Sequence, residues 1–340
     1  MSGGDNRQIV LAALPGAGAL RPEHFVARDG ERPQAGPDEL LVRTILLSID
    51  SANRAWMSGP TYRPQLVAGE VMAGYALAEV VRAGPPGFVA GDLVLADTGW
   101  QEWAVVPARD ATRVDPVSAL THHLSVLGVT GLTAHIGLHD VGRVRAGDTV
   151  VVSAAAGATG NVAGQLARIA GARVVGISGS PQKNALLEGD LGFDATACHR
   201  DPDVLGALRA ACPDGVDLYF DNVGGPLLDT VLRCTNRGAR VVCCGAVSAY
   251  DAGPDAGGSR QVPGRVVTHR LRLEGFIVLD HVDRWPAATA ELAEHVASGA
   301  LRVLEDVLDG LDRAPEALIG MLAGDNVGKR LVRVAADPRT

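Results

Sequence analysis

The sequence predicts an α/β protein that combines a small β-barrel with a doubly wound parallel sheet. Short strands separated by Gly-Pro segments fill residues 1–124, whereas apolar strands, glycine turns and helices alternate from residue 148 onward. Strands that are apolar throughout are buried on both faces, as in a parallel sheet covered by helices on each side. A strand-like segment at 329–334 is expected to return to the barrel. The predicted domains are therefore 1–124 with 302–340, and 125–301.

Individual elements follow from local patterns of β-branched residues, glycines and apolar periodicity. In the first part, strands are expected at 40–49, 74–82, 91–96 and 102–106. In the second part, the expected strands are 149–153, 173–178, 216–221, 240–244 and 271–278, and the expected helices are 159–170, 181–191, 226–235 and 284–298. Residues 248–265 are rich in Gly, Pro and Asp, which predicts a lid, a binding loop or a disordered segment.

Composition excludes several classes of partner. The net charge is −8 at pH 7 and the acidic residues are scattered, which argues against binding to nucleic acid or to an anionic membrane. The N-terminal residues do not resemble a secretory signal, so secretion is not expected. No apolar stretch reaches about 18 residues, so a membrane helix is not expected. The five cysteines contain no C-x-x-C pair, which indicates buried, reduced thiols in a cytoplasmic protein. A small molecule is the expected partner.

A glycine turn carries the main functional signal. The strand at 149–153 leads into Gly157, Gly160 and Gly164, spaced as G-x-x-G-x-x-x-G, and a helix follows. Backbone N–H groups and the helix dipole then point at one place, where a pyrophosphate fits if side chains are small. The alternative is a glycine-rich packing turn in an unrelated α/β fold.

The end of the second strand indicates which dinucleotide binds. NAD-binding enzymes usually place a carboxylate there to bind the ribose 2′-hydroxyl, but this strand ends in Ser178-Gly179-Ser180. Lys183 follows shortly, and Arg200 follows the third strand. Hydroxyl groups and cations suit a 2′-phosphate, so NADPH is the predicted cofactor. The alternative is that both cations are ordinary surface charges.

No metal site is expected. A zinc alcohol dehydrogenase needs a cysteine and a histidine in its first domain, yet residues 1–124 contain no cysteine and Gly69-Glu70 stands where Gly-His-Glu would be expected. His122 and His123 are adjacent, so their side chains point apart. His135 and His139 could share a helix face, but the sequence offers no third ligand at a useful spacing.

Several motifs in the same order resemble one known family. They are residues 131–134 (GLTA), 146–157 (AGDTVVVSAAAG), 192–194 (GFD), 219–225 (YFDNVGG), 244–250 (CGAVSAY), 275–278 (GFIV) and 324–329 (GDNVGK). Together they cover nearly the whole chain. The sequence resembles the zinc-independent medium-chain dehydrogenases/reductases. Within them it is most similar to the prostaglandin reductase, leukotriene B4 dehydrogenase and alkenal double-bond reductase group, which includes curcumin reductase-like enzymes.

This resemblance implies a GroES-like β-barrel catalytic domain, a Rossmann nucleotide-binding domain and a homodimer. It also implies cofactor-binding roles by position, in addition to the glycine turn and the end of the second strand. The expected cofactor-binding residues are Gly157, Ala158, Thr159, Gly160, Asn161, Ser178, Gly179, Ser180, Lys183, His199, Arg200, Asn222, Cys244, Gly245, Ala246, Phe276, Ile277, Val278 and Asn326.

The sequence departs from the family pattern in its expected substrate pocket. His199 replaces a tyrosine near the 2′-phosphate, His135 replaces an aromatic residue, and Ala52 and Asn53 replace a Tyr-Met pair before Arg54. We therefore expect a reshaped substrate pocket. Its expected members are Asn53, Arg54, Tyr62, His135 and Tyr250.

The predicted reaction is metal-free transfer of a hydride from NADPH to the β-carbon of an α,β-unsaturated carbonyl, an enone or enal. Negative charge then develops on the carbonyl oxygen, which needs hydrogen-bond donors placed beforehand. Tyr250, as the catalytic residue, and a ribose hydroxyl of the cofactor are the expected donors. The alternatives are a reductive cyclase acting on a polyene in natural-product (polyketide-type) biosynthesis, a quinone reductase and a non-catalytic NADPH-binding protein.

Overall fold

The chain folds into two compact units. The computed structural model describes residues 5–115, 119–251 and 261–339. The first unit contains residues 1–124, 305–326 and 330–340, and the second contains residues 125–304 and 327–329. The predicted boundaries lie after residues 124 and 301, whereas the structure divides the chain after residues 124 and 304 and places 327–329 in the second unit.

The first unit is built on an antiparallel sheet. Numbered along the whole chain, its elements are β1 (Asn6–Leu11), β2 (Phe25–Gly30), β3 (Glu39–Ser48), α1 (Ser51–Ser58), β4 (Tyr75–Ala83), β5 (Leu93–Asp97), β6 (Trp103–Pro107), β7 (Thr112–Val114), β14 (Glu305–Asp309), α9 (Ala314–Ala323) and β15 (Lys329–Arg333). The order is β14-β15-β3-β4-β5-β7, with β6 also pairing with β3 and β1 with β2. Residues such as Leu40 and Val42 in β3, and Ala78 and Val80 in β4, alternate into one core.

The second unit is a six-stranded sheet with helices on both faces. Its elements are α2 (Val129–Ile136), β8 (Thr149–Ser153), α3 (Ala158–Ile169), β9 (Arg173–Ser178), α4 (Pro181–Gly189), β10 (Ala195–Cys198), α5 (Val204–Ala211), β11 (Val216–Asp221), α6 (Gly225–Leu232), β12 (Thr235–Cys243), α7 (Val262–His269), β13 (Arg272–Gly275) and α8 (Trp285–Ala297).

The strand order in this sheet is β10-β9-β8-β11-β12-β13, and the pairs are parallel. Val150 and Val152 of β8 face one buried cluster, whereas Val151 faces another. Because successive strand residues point to opposite faces, the three central valines of β8 are needed to fill both clusters. The predicted doubly wound parallel sheet is confirmed.

Several predicted segments differ from the structure, and the strand expected at 240–244 begins as early as Thr235. The helix expected at 226–235 ends at Leu232, and the strand expected at 271–278 ends at Gly275. The segment 248–265 is partly helical, because α7 begins at Val262 and packs Val262 and Val266 on the second buried cluster. Val262 and Val266 are spaced as on one face of a helix, but the many glycines of the segment favoured a loop in the sequence analysis. Residues 252–260 of that segment lie outside the described residues.

No helix within the described ranges is long and apolar enough to cross a membrane. All five cysteines are free thiols, but only Cys212 is fully buried, and the other four are half-buried. The expectation of buried thiols therefore holds for one of them. Burial raises the pKa of the Cys212 thiol to about 12, so it stays protonated at neutral pH.

Residues 327–329 complete the second unit from the far end of the chain. Gly328 N donates to Ala156 O at 2.8 Å, and Lys329 N donates to Leu304 O at 2.9 Å. Gly328 has a φ of +70°, and a Cβ built on it would lie 2.1 Å from Leu304 O. Only glycine satisfies both constraints, so this return depends on Gly328.

We predict that Gly328→Ala destabilises the protein by about 3 kcal/mol, because it combines left-handed strain with a backbone clash. Gly324→Ala is the matched control. Gly324 has a φ of +83° but nothing within 4 Å of a built Cβ, so it should lose only about 1 kcal/mol. Urea denaturation compares the two variants. Equal losses would show that the contact with Leu304 is unimportant.

Candidate functional site

The turns that carry most of the predicted cofactor-binding residues lie at the carboxyl edge of the parallel sheet. Chain order reverses next to β8, which pairs with β9 on one side and with β11 on the other. Ligands of open α/β sheets bind outside the carboxyl ends of the strands at such a switch point. The predicted residues that follow β8, β9, β10, β11 and β12 therefore all lie along this edge of the second unit.

The glycine turn between β8 and α3 exposes backbone donors. Gly157 is the N-cap of α3 and its helix start has no side-chain cap. Gly160 allows close contact with the preceding turn, since a Cβ there would lie 2.3 Å from Ala154 O. Ala154 itself adopts a left-handed φ of +49°, an unfavourable conformation for a residue with a Cβ. The first N–H groups of α3 are thus available to an anion at the end of the sheet.

Asn161 braces this turn from within. Its Nδ2 donates to Gly157 O at 2.6 Å and to Ala158 O at 2.9 Å. Gln165 Nε2 in turn donates to Asn161 Oδ1 at 3.3 Å and to Arg302 O at 3.0 Å. These bonds give Asn161 a structural role in the turn, and its contact with a cofactor stays a prediction.

A buried carboxylate that the sequence did not single out organises the switch point. Asp221 ends β11, and its Oδ1 accepts hydrogen bonds from Tyr219 Oη at 2.8 Å and Ser153 Oγ at 3.2 Å. It also accepts from the backbone N–H groups of Val223 at 3.0 Å and Gly224 at 2.9 Å. A buried charge is tolerable only with such partners. Burial raises the pKa of Tyr219 well above its usual value, so the phenol remains a donor.

The same network orients Asn222, a predicted cofactor contact. Its backbone N donates to Ser153 Oγ at 2.9 Å, and its Nδ2 donates to Ser153 O at 2.7 Å. Cys244 N and Gly245 N donate to the backbone oxygen of Asp221 at 2.9 and 3.1 Å. The ends of β8, β11 and β12 are therefore joined through two residues, Ser153 and Asp221.

The ends of β9 and β10 bring hydroxyl groups and cations together. Ser178 pairs with Cys198 in the sheet, and His199 N donates to Ser178 O at 3.0 Å. Ser180 caps α4 by accepting from Lys183 N at 3.3 Å. A Cβ built on Gly179 would lie 3.2 Å from His199 Nε2 and 3.9 Å from Arg200 Cζ, so those side chains lie over Gly179.

Electrostatics at this end of the edge favour an anion. Burial lowers the pKa of His199, and the positive charges of Arg200 and Lys183 lower it further. The imidazole is therefore neutral at neutral pH in the free protein, and an anion placed here would favour its protonated form. No carboxylate occupies Ser178–Ser180 to oppose that anion.

The segment after β12 places Tyr250 on the same edge. Ser248 Oγ donates to Val223 O at 2.7 Å, which ties a 3-10 turn at Val247–Ala249 to the turn after β11. Tyr250 is half-buried, and burial raises the pKa of its phenol. It is therefore protonated at neutral pH and can donate a hydrogen bond. Burial also raises the pKa of the Cys244 thiol, to about 12.

Residues 276–278 leave β13 as an irregular segment. Phe276 packs edge-on to His281 with ring centroids 6.3 Å apart. Ile277 is 42% exposed, whereas Val278 is buried. Of the three, Ile277 offers the most surface to a ligand at the edge.

The other predicted contacts lie in the first unit. Asn53 Oδ1 accepts from Asp50 N at 2.8 Å and its Nδ2 donates to Ala73 O at 3.1 Å. Arg54 is buried and its Nη2 donates to Gly16 O at 2.9 Å. These bonds hold backbone in place, so both residues have structural roles, and substrate contact stays a prediction. Tyr62 is exposed beside Trp56, and Asn326 is buried.

His135, the last predicted pocket residue, contacts Glu291 of α8. Its side chain is 5% exposed and its Nε2 lies 2.8 Å from Glu291 Oε2. His139 joins them, and one ligand atom from each of the three lies within 4.8 Å of the others. The expectation of no metal site assumed that no third ligand was available, and α8 supplies one.

We predict that Asp221→Asn destabilises the protein by about 2–4 kcal/mol, because an amide loses the charge-assisted bonds and puts an NH2 group beside donors. Tyr219→Phe removes only one of the four donors and should lose about 1–2 kcal/mol. Chemical denaturation measures both. A loss for Asp221→Asn no larger than for Tyr219→Phe would contradict the central role of this carboxylate.

Family models match both units. Residues 7–114 match the N-terminal domain of oxidoreductases, and residues 158–294 match a model described as zinc-binding dehydrogenase.

Full-length relatives agree with these matches. The NADPH-dependent curcumin reductase of Escherichia coli is 38% identical over 98% of each chain, and the NADP(+)-dependent 2-alkenal reductase of Nicotiana tabacum is 36% identical over 89% of each. The crystal structure of CurA from Vibrio vulnificus in complex with NADPH has a TM-score of 0.93 at 35% identity, covering 97% of this chain and 100% of that one.

Proposed function

Because the chain belongs to the zinc-independent medium-chain dehydrogenase/reductase family, we propose that it reduces the carbon–carbon double bond of α,β-unsaturated carbonyl compounds. The chain is an NADPH-dependent oxidoreductase with a GroES-like barrel and a Rossmann domain. One observation carries the substrate proposal. Tyr250, a half-buried phenol that can donate a hydrogen bond at neutral pH, lies on the sheet edge that also carries the glycine turn.

The residues at this edge fit NADPH. The N–H groups at the start of α3 suit the pyrophosphate, and the capped turn Ser178–Ser180 with Lys183, His199 and Arg200 suits the 2′-phosphate. When bound, NADPH supplies the hydride that adds to the β-carbon of the substrate.

Tyr250 then acts on the substrate oxygen. As hydride adds to the β-carbon, negative charge moves to the carbonyl oxygen, and a donor already in place stabilises that charge. The bond from Ser248 Oγ to Val223 O ties the turn before Tyr250 to the end of β11, and this fixed position favours the role. The proton on the α-carbon is taken from solvent in this proposal.

Three features of the sequence suggest a reductive cyclase: the altered segment 50–54, His135 and the long segment after Tyr250. None of them favours cyclisation over simple reduction of the double bond. Asn53 and Arg54 hold backbone, His135 pairs with Glu291, and residues 252–260 lie outside the described part of the chain. Quinone reduction uses the same cofactor chemistry, so quinones belong in the substrate panel.

We also propose that the protein is a homodimer and that it acts in the cytoplasm. Among the described strands, β13 pairs with another strand on one side only, so it offers a sheet edge to a second copy.

We predict that the protein consumes NADPH with enones and enals, and that Tyr250→Phe lowers kcat roughly 100-fold, as expected for the loss of one oxyanion donor. The dissociation constant for NADPH should not change. Absorbance of the reduced cofactor follows turnover, and product mass and ring count separate reduction from cyclisation. Tyr75→Phe, in β4, is the matched control and should retain activity. Consumption of no enone or enal would refute the proposed function, and unchanged turnover in Tyr250→Phe would remove its catalytic role.

We further predict that Lys183→Gln or Arg200→Gln weakens NADPH binding roughly 10- to 100-fold, as the loss of a charge-assisted bond implies. NADH lacks the 2′-phosphate and is the control, so its dissociation constant should change little.

The pH dependence of NADPH binding tests His199, whose pKa is lowered in the free protein. NADPH affinity should rise as pH falls toward that lowered pKa and level off below it, because a proton is taken up on binding only where the free ring is neutral and the ring beside the phosphate is protonated.

In His199→Gln this rise should be absent, and NADPH affinity should instead fall below about pH 6, where protonation of the free 2′-phosphate removes a negative charge. Fluorescence titration from pH 8 to below pH 6 makes the comparison. If the wild type and His199→Gln have the same profile, His199 does not contact the phosphate.

A further inference from the structure

Two helices of the second unit direct potential metal ligands toward each other. His135 and His139 lie four residues apart, on α2 and on the π-helical turn Gly137–Val141 that continues it. Glu291 and His295 lie four residues apart on α8, which packs against α2. Residues at this spacing share a helix face, so two pairs of side chains meet between the two helices.

The distances are short for four side chains from separate parts of the sequence. The His135 and His139 rings have centroids 4.8 Å apart, and His135 Nε2 lies 2.8 Å from Glu291 Oε2. The second carboxylate oxygen, Glu291 Oε1, lies 3.7 Å from His295 Nε2. One carboxylate is thus in reach of imidazoles on both helices.

Burial distinguishes this cluster from an ordinary surface ion pair. The His135 side chain is 5% exposed, and its Nδ1 is buried with no hydrogen-bond partner among the described residues. The described residues therefore hold this buried ring only through Nε2, the nitrogen that faces Glu291. Glu291 is 49% exposed, so the cluster is open to solvent on one side and an ion could enter there.

We propose that His135, His139 and Glu291 bind one divalent transition-metal ion of the Zn²⁺ type, with His295 as a fourth ligand. Imidazole nitrogen and carboxylate oxygen are ligands that Zn²⁺ takes in tetrahedral sites, with bonds of about 2.0–2.2 Å. Such bonds place ligand atoms about 3.3 Å apart. Small side-chain rotations produce that spacing, and bonds to the ion replace the hydrogen bond between His135 and Glu291.

The ion would have a structural role. It would link α2 to α8, whose ligands His135 and Glu291 are 156 residues apart in the chain. Helix α2 packs against α3, which begins at the glycine turn, so fixing α2 also supports that turn. This role is independent of the proposed ene reduction, in which Tyr250 and no metal ion acts on the carbonyl. It departs from the sequence-based expectation of no metal site.

The test uses the full-length protein, freed of any affinity tag and treated with a chelator. Calorimetric titration with Zn²⁺, and Co²⁺ absorption spectra with Zn²⁺ competition, measure stoichiometry and affinity. Thermal unfolding with and without Zn²⁺ gives an independent readout, because an ion that binds only the folded state raises Tm. The variants are His139→Ala, Glu291→Gln and His295→Ala. The control is His269→Ala, a histidine at the end of α7 outside the cluster.

We expect saturable binding of one equivalent and a rise in Tm for the wild type and for His269→Ala. Glu291→Gln and His139→Ala should each weaken binding by at least about 10-fold and abolish the rise in Tm, while their metal-free Tm shows that they are folded. Enone reduction by the chelator-treated wild type should persist. Two results would overturn the proposal: no saturable binding to the wild type, or equal affinity in the wild type, His139→Ala and Glu291→Gln.

Discussion

The buried carboxylate of Asp221 is the contact on which the carboxyl edge of the parallel sheet depends. A charge in this position would be strongly unfavourable if it lacked partners. Here two hydroxyl groups and two backbone N–H groups converge on one of its oxygens, while its backbone oxygen receives the N–H groups of Cys244 and Gly245. Three strand ends therefore have one common arrangement, and the turns that follow them are fixed relative to each other.

The two ends of this edge differ in electrostatic character. At the switch point, four donors converge on Asp221 Oδ1 and offset part of its negative charge. Beyond β9 and β10, burial keeps His199 neutral, and the positive charges of Arg200 and Lys183 add to that effect and make the region suited to an anion. In the proposed binding mode, the 2′-phosphate of NADPH lies in that region, and the other end of the dinucleotide lies toward the segment that carries Tyr250.

The sequence predicted the parts of the fold that depend on local pattern. Neighbouring residues were enough to predict the apolar strands of the second unit, the glycine turn and the absence of a carboxylate after β9. Asp221 was not singled out, because an aspartate at a strand end reads as a turn residue until Ser153 and Tyr219 are seen to bind it. Glu291 was missed for a related reason. It reaches His135 only through the packing of α8 on α2, and no spacing in the chain reports that contact.

The return of residues 327–329 to the second unit has a consequence for the order of folding. The glycine turn at 157 and its bridge partner Gly328 are far apart in the chain, and β14 and α9 of the first unit lie between residues 304 and 327. Closing so long a loop costs conformational entropy before the contact forms. The six-stranded sheet can therefore pair early, whereas the segment that supports the glycine turn joins it late. A chain cut before residue 327 would keep those six strands but lose the N–H donors to Ala156 O and Leu304 O.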